Sequence, residues 1–135
     1  MRFLDTNILL YAIGTDESEA EKTIIARALL EASDLALSVQ VLQEFYVQAT
    51  RASRPDPLTH EQASQLVESF LRFPVQHLNV HIVKAAMACR QRFQISYWDA
   101  AIIEAARSMG CQRVLSEDLN SGQSYGGVRV ENPFA

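Results

Sequence analysis

Four acidic residues stand at points where a chain can turn them into chemistry. Asp5 closes the short apolar run Phe3–Leu4 and is followed at once by Thr6, Asn7 and a second apolar run. Glu44 comes soon after the apolar segment "LALS" at 35–38. Asp99 sits in "SYWDAAIIEAA", and Asp118 closes "VLSED". Carboxylates brought together repel unless some are protonated or a cation sits between them. Oxygen-only donors select hard ions such as Mg²⁺ or Mn²⁺. Two such ions about 4 Å apart clamp the attacking and leaving oxygens of a phosphoryl displacement. An acidic set with no His or Cys ligands thus points to phosphodiester hydrolysis rather than carbonyl chemistry. His60, His77 and His81 fall outside these segments and read as surface or structural residues.

Each acid also has a plainer reading. Asp5 suits the N-cap of a following helix. Glu44 stands between Gln43 and Phe45 and is compatible with a solvated helix face. Asp99 lies three residues after Ser96, in capping-box spacing, where a helix dipole favours a carboxylate. Asp118 precedes Asn120 and Gly122 and suits a turn. Glu17, Glu19, Glu21, Glu31, Glu61 and Glu68 read as solvated helix faces, and Asp16 or Ser18 as a cap.

The elements that must position the four acids follow from hydrophobic period. Strands are expected at 2–4, 35–38, 75–80 and 113–118, with a last one in "VRVENPF". Helices are expected at 6–13 and in "DESEAEKTIIARALLEAS", where Ile24, Ile25, Ala28, Leu29 and Ala32 share a face. Further helices fit "VQVLQEFYVQATRA", "HEQASQLVESFLRF" behind a Thr59/Gln62 capping box, 81–93, and 97–109 ended by Gly110. Pro55 and Pro57 mark the clearest break, and "NSGQSYGG" reads as a loop. Strands separated by helices imply an α/β fold, a mostly parallel sheet with right-handed crossovers. Sites in such sheets form at the carboxyl ends of the strands, the rim to which all four acids are delivered.

The totals narrow the rest. A chain of 135 residues with 48% hydrophobic and 21% charged residues suits one domain spanning 1–135. No apolar run reaches the roughly 20 residues of a membrane span, and no signal peptide is visible. Cys89 and Cys111 make neither a disulfide framework nor a zinc spacing, and Cys89 reads as a buried thiol, so a cytoplasmic setting is expected. A net charge of −4 argues against gripping nucleic acid by charge alone. Ten Arg against two Lys is a weak hint of phosphate or carboxylate recognition. Gly-rich phosphate loops, a dinucleotide fingerprint and a G-x-S-x-G elbow are missing. The first strand ends in Asp5-Thr6-Asn7 rather than the Asp-x-Asp of a haloacid-dehalogenase-type phosphatase.

Taken in order, "FLDTNILLYA", Glu44 after "LALSVQVLQEF", "YWDAAIIEAA" and "VLSEDLNSGQSYGGVRVENPF" resemble the PIN-domain ribonucleases, most closely the VapC-type toxins of toxin–antitoxin pairs. Each motif alone is weak; the ordered set, running nearly end to end, is specific. The resemblance implies a three-layer fold with helices on both faces of a mostly parallel sheet. It implies that Asp5, Glu44, Asp99 and Asp118 are catalytic metal-binding acids, supported by Asn7 and Ser116. Glu117, beside Asp118, is the alternative fourth ligand. The hydroxyl of Ser116 stands where the family often has Thr. The implied activity is Mg²⁺- or Mn²⁺-dependent endonucleolytic cleavage of RNA, leaving a 5′-phosphate and a 3′-hydroxyl. The implied partners are an antitoxin protein and a second copy of the chain. Arg51 and Arg54, near the end of the Glu44 helix, are candidate contacts to the RNA backbone. The helix faces in 17–32 and 59–73 are candidate surfaces for the dimer or the antitoxin. Only four residues precede Asp5, so the first strand must be held by its neighbours. Two other classes stay open: a PIN-like module that binds RNA or a partner without cutting, and another metal-dependent phosphoesterase.

Overall fold

Small polar residues open the helices. Asp5, Ser38, Thr59, Asn79 and Ser96 each accept a backbone N–H of the first turn, satisfying a donor the helix leaves unpaired. The computed structural model describes residues 1–135. In chain order the helices are α1 (Thr6–Ala12), α2 (Ala20–Leu29), α3 (Val39–Ala49), α4 (His60–Phe70), α5 (Val80–Phe93) and α6 (Tyr97–Ser108). The strands are β1 (Arg2–Leu4), β2 (Leu35–Ser38), β3 (Val75–Gln76), β4 (Arg113–Leu115), β5 (Ser124–Tyr125) and β6 (Val128–Glu131).

The six strands form one sheet in the order β3-β2-β1-β4-β6-β5. Every pairing is parallel except β5 with β6. The path steps from β1 to β2 to β3 in one direction, then crosses back to β4. Right-handed crossovers taken in opposite directions leave their helices on opposite faces. Accordingly α1 packs on α2 and α3, and α3 on α4. On the other side α5 packs on α6, and α6 lies against β2, β3, β4 and β6. With both faces covered, consecutive residues of the central strands are buried: Phe3 and Leu4 in β1, and all of β2. One continuous apolar cluster runs through both layers, from Phe3, Leu37 and Phe45 to Ile103 and Val130. The short β1 is held as expected, paired to β2 on one side and β4 on the other.

Several expectations need correction. The strand expected at 75–80 ends at Gln76, because Asn79 caps α5 through the N–H of Ile82. The strand expected at 113–118 ends at Leu115, so Ser116, Glu117 and Asp118 lie beyond it. The buried side of α2 is Thr23 and Ala26, while Ile24 is 68% exposed. Apolar surface stays exposed at Ile24 and Leu71, within the segments expected to carry it, and also on α5 at Val80, Val83 and Met87. The loop expected at "NSGQSYGG" holds β5, and Tyr125 turns into Val128 through Gly126 and Gly127. Both glycines have positive φ, as a two-residue hairpin turn needs.

Candidate metal centre

The point where strand order reverses lies between β1 and β4. Crevices at such points, outside the carboxyl ends of the strands, are where open α/β sheets bind ligands. Asp5 leaves the end of β1, and its backbone N–H donates to the Leu115 carbonyl at 3.0 Å. Ser116–Asp118 leave the end of β4 beside it. Glu44 comes from the middle of α3, and Asp99 from the first turn of α6. The four acids line one pocket of about 100 Å³, with Thr6, Asn7, Gln48 and Trp98 among the other walls. At about 30 Å³ per water, that is room for a cation and a few waters.

Asp5 is both cap and pocket wall. Its Oδ1 accepts the Thr6 N–H at 2.8 Å, and its Oδ2 accepts the Ser116 hydroxyl at 2.7 Å. It is 6% exposed, and burial pushes its pKa up to about 6. The hydrogen bonds from Ser116 and Thr6 pull downward, and the charges of Asp118 and Glu44 push further up. Asp99 is also raised, by burial first, tempered by Ser96, then by the charge of Asp118.

Polar neighbours tie the acids together. Asn7 Nδ2 donates to Asp118 Oδ2 at 3.0 Å and lies 3.3 Å from Ser116 Oγ and 3.5 Å from Asp5 Oδ2. Asn7 Oδ1 accepts the Glu117 N–H, and Ser116 Oγ accepts the Asp118 N–H. The Thr6 hydroxyl donates to Glu44 Oε1 at 2.8 Å. The oxygen-only donor set and the buried, raised Asp5 fit a hard divalent cation. As the side chains stand, no three of His, Cys, Asp or Glu are grouped closely enough to hold an ion. The Asn7 amide, set among Asp5, Ser116 and Asp118, relieves part of the repulsion that a cation would relieve.

The sequence-expected residues are thus sorted. Asp5, Glu44, Asp99 and Asp118 share the pocket, and Asn7 and Ser116 sit behind or within it. Glu117 does not line it. Its Oε1 accepts the Tyr11 hydroxyl at 2.6 Å, and Lys22 Nζ makes an ion pair with Oε2 at 2.7 Å. Burial works to raise the Glu117 pKa, but Lys22 and Tyr11 outweigh it and hold the group low. Arg51 lines an adjoining groove, whereas Arg54 lines neither space. The histidines stay outside the pocket, His60 being bonded to the Tyr46 hydroxyl at 2.8 Å. Thr6, Gln48 and Trp98 were not expected. Thr6 alone had a signal, its place between Asp5 and Asn7 at a strand end.

The sequence matches the PIN domain family over residues 2–121. This chain belongs to the PIN domain family. Its fold likeness to solved structures extends over nearly the whole chain. FitAB bound to an IR36 DNA fragment superposes with a TM-score of 0.74 at 18% identity, covering 100% of this chain and 96% of that one. A toxin–antitoxin complex from Klebsiella pneumoniae gives 0.71 at 19% identity, covering 98% of each chain. The Mycobacterium tuberculosis toxin VapC20, which cleaves the sarcin–ricin loop, gives 0.67 at 18% identity, covering 87% and 92%. No curated protein matches this PIN domain. None of its helices is long and apolar enough to cross a membrane.

Proposed function

We propose that this PIN domain is a Mg²⁺- or Mn²⁺-dependent endoribonuclease and the toxin of a toxin–antitoxin pair. The observation that carries the reading is the delivery of Asp5, Glu44, Asp99 and Asp118, from four separate segments, into one pocket at the switch point of the sheet. Asp5, Asp99 and Asp118 are the ligands, with Glu44 as the fourth acid, bound directly or through water. A cation held there would lower the pKa of a water and stabilise charge during hydrolysis of a phosphodiester. Ser116 and the Thr6 N–H hold the Asp5 carboxylate in place, so that both its oxygens are oriented before an ion arrives. Thr6 does the same for Glu44. Asn7 positions Asp118. Arg51, at the groove beside the pocket, neutralises a phosphate of the RNA strand.

The partner assignment rests on the fold neighbours, which include a toxin–antitoxin complex and VapBC bound to DNA. On this reading the protein works in the cytoplasm, pairs with a second copy, and is silenced by an antitoxin. Calorimetry of Mn²⁺ binding to the wild type and to Asp99→Asn is the direct test. Binding in the wild type and its loss in the variant, together with RNA products bearing 5′-phosphates, support the ribonuclease. Release of free phosphate from small phosphate esters would point to a phosphatase instead. RNA binding that survives Asp99→Asn, with no cleavage by the wild type, would leave a binding module.

A further inference from the structure

Trp98 is the only tryptophan of the chain, and it is 64% exposed. Leaving so large an apolar ring in water is costly, at roughly 25 cal/mol per Å². Its backbone and one edge of its ring are nevertheless held. Gln40 Nε2 donates to its backbone carbonyl at 3.2 Å, and the Tyr97 ring meets it edge-on with centroids 5.0 Å apart. The residue stands between two spaces. One is the carboxylate pocket; the other is a groove of about 510 Å³ along α3. Trp98, Glu44 and Gln48 line both, and Gln43, Val47 and Arg51 continue the groove.

We propose that Trp98 is a stacking platform for an unpaired base of single-stranded RNA lying in this groove. Gln43 and Gln48 offer amides to the base edges, and Arg51 meets the neighbouring phosphate. This rests on the ribonuclease reading and adds to it the residue that selects unpaired substrate. The charge pattern requires such a device. The chain carries a net charge of −4, and Arg51 is the one cation lining the groove, in no ion pair of its own. Phosphate contacts alone therefore supply little affinity. Base–aromatic stacking needs no positive charge and demands a base free of its partner strand. The groove lies within the roughly 300–1,000 Å³ range of pockets for small-molecule ligands. Because the groove and the carboxylate pocket share Glu44, Gln48 and Trp98 as walls, a base on Trp98 brings its own backbone to the acids.

The lone indole makes the test direct. Short labelled RNAs are titrated into the full chain with Ca²⁺ present, following Trp98 emission and RNA anisotropy together. Single-stranded RNA should quench the emission saturably. The same sequence as a duplex, or as an abasic strand, should not. By anisotropy, Trp98→Ala should weaken single-strand binding roughly 5- to 100-fold, and Trp98→Phe should recover most of it. If single strands bind while the emission stays unchanged, or bind Trp98→Ala as they bind the wild type, the platform is wrong and the ribonuclease reading stands. If no RNA binds with Ca²⁺ or Mn²⁺ present, the platform falls together with the reading beneath it.

Discussion

At the scale of single residues, the decisive side chain is Asp5. Its carboxyl is buried, faces other acids, and carries a pKa of about 6 against an ordinary value of 3.8. The folded state therefore keeps this proton to higher pH than the unfolded chain does. The resulting stabilisation is complete below about pH 4 and is lost as pH rises through about 6, and the gap is worth on the order of 3 kcal/mol. In metal-free buffer, Asp5→Asn should match the wild type in unfolding free energy near pH 4 and exceed it at pH 7. Mn²⁺ should then raise the melting temperature of the wild type and leave the variant unmoved. Parallel pH curves for the two proteins would sink this account of Asp5. Ser116 acts through Asp5 and Asp118, donating to the first and accepting from the second. Ser116→Ala should weaken Mn²⁺ binding by roughly 10- to 100-fold in calorimetry, and Ser116→Thr, which keeps the hydroxyl, should bind nearly as the wild type does. The four acids were legible as an ordered set rather than singly: Asp5, Asp99 and Asp118 stand at strand ends or a helix start where caps and turns also put acids, and Glu44 lies mid-helix. Trp98 and Gln48 were not, because nothing local distinguishes them; only the approach of α6 to α3 gives them a role.

At the scale of elements, capping chemistry was the most readable signal and the strand ends the least. Thr59 and Gln62 form the reciprocal box expected of them. Asn79, by contrast, sat inside an apolar run and was read as strand, although its side chain caps α5. The β5–β6 hairpin was hidden because two strand residues before Gly126–Gly127 give no period. Its anchor is tertiary: Arg107 on α6 donates to the carbonyls of Tyr125 and Gly126 while pairing with Glu104. Arg107→Ala would strand a carboxylate that is largely buried, and urea unfolding should show a loss of about 3 kcal/mol. A smaller loss would mean that water reaches Glu104. The end of α5 carries a correctable strain. Gln94 caps it in the left-handed region with φ of 56°, where a side chain costs about 1 kcal/mol or more. Gln94→Gly should raise the unfolding midpoint by an amount equivalent to about 1 kcal/mol; a lower midpoint would show that the bond from Gln94 Nε2 to the Gln91 carbonyl matters more.

At the scale of the whole molecule, the negative balance and the lone groove arginine set how substrate is gripped. With about one phosphate neutralised by Arg51, the slope of log affinity against log salt should be about −0.7 for single-stranded RNA. A slope several times steeper, measured by anisotropy across a salt series, would place the strand on a basic face that the groove does not provide. The parallel sheet and its covered faces were readable from the alternation of strands and helices. The outermost strands were less so, and they are the shortest: β3 was expected but ends four residues early, β5 was missed, and each has two residues. Their brevity has a consequence beyond the site. A sheet edge with free backbone donors and acceptors is a template on which another chain can add itself, and growth of that kind ends in aggregates. Here each border offers too few groups to seed such an addition. One border is closed further by a glycine hairpin pinned to α6, so the fold resists polymerising through its own sheet even at high local concentration.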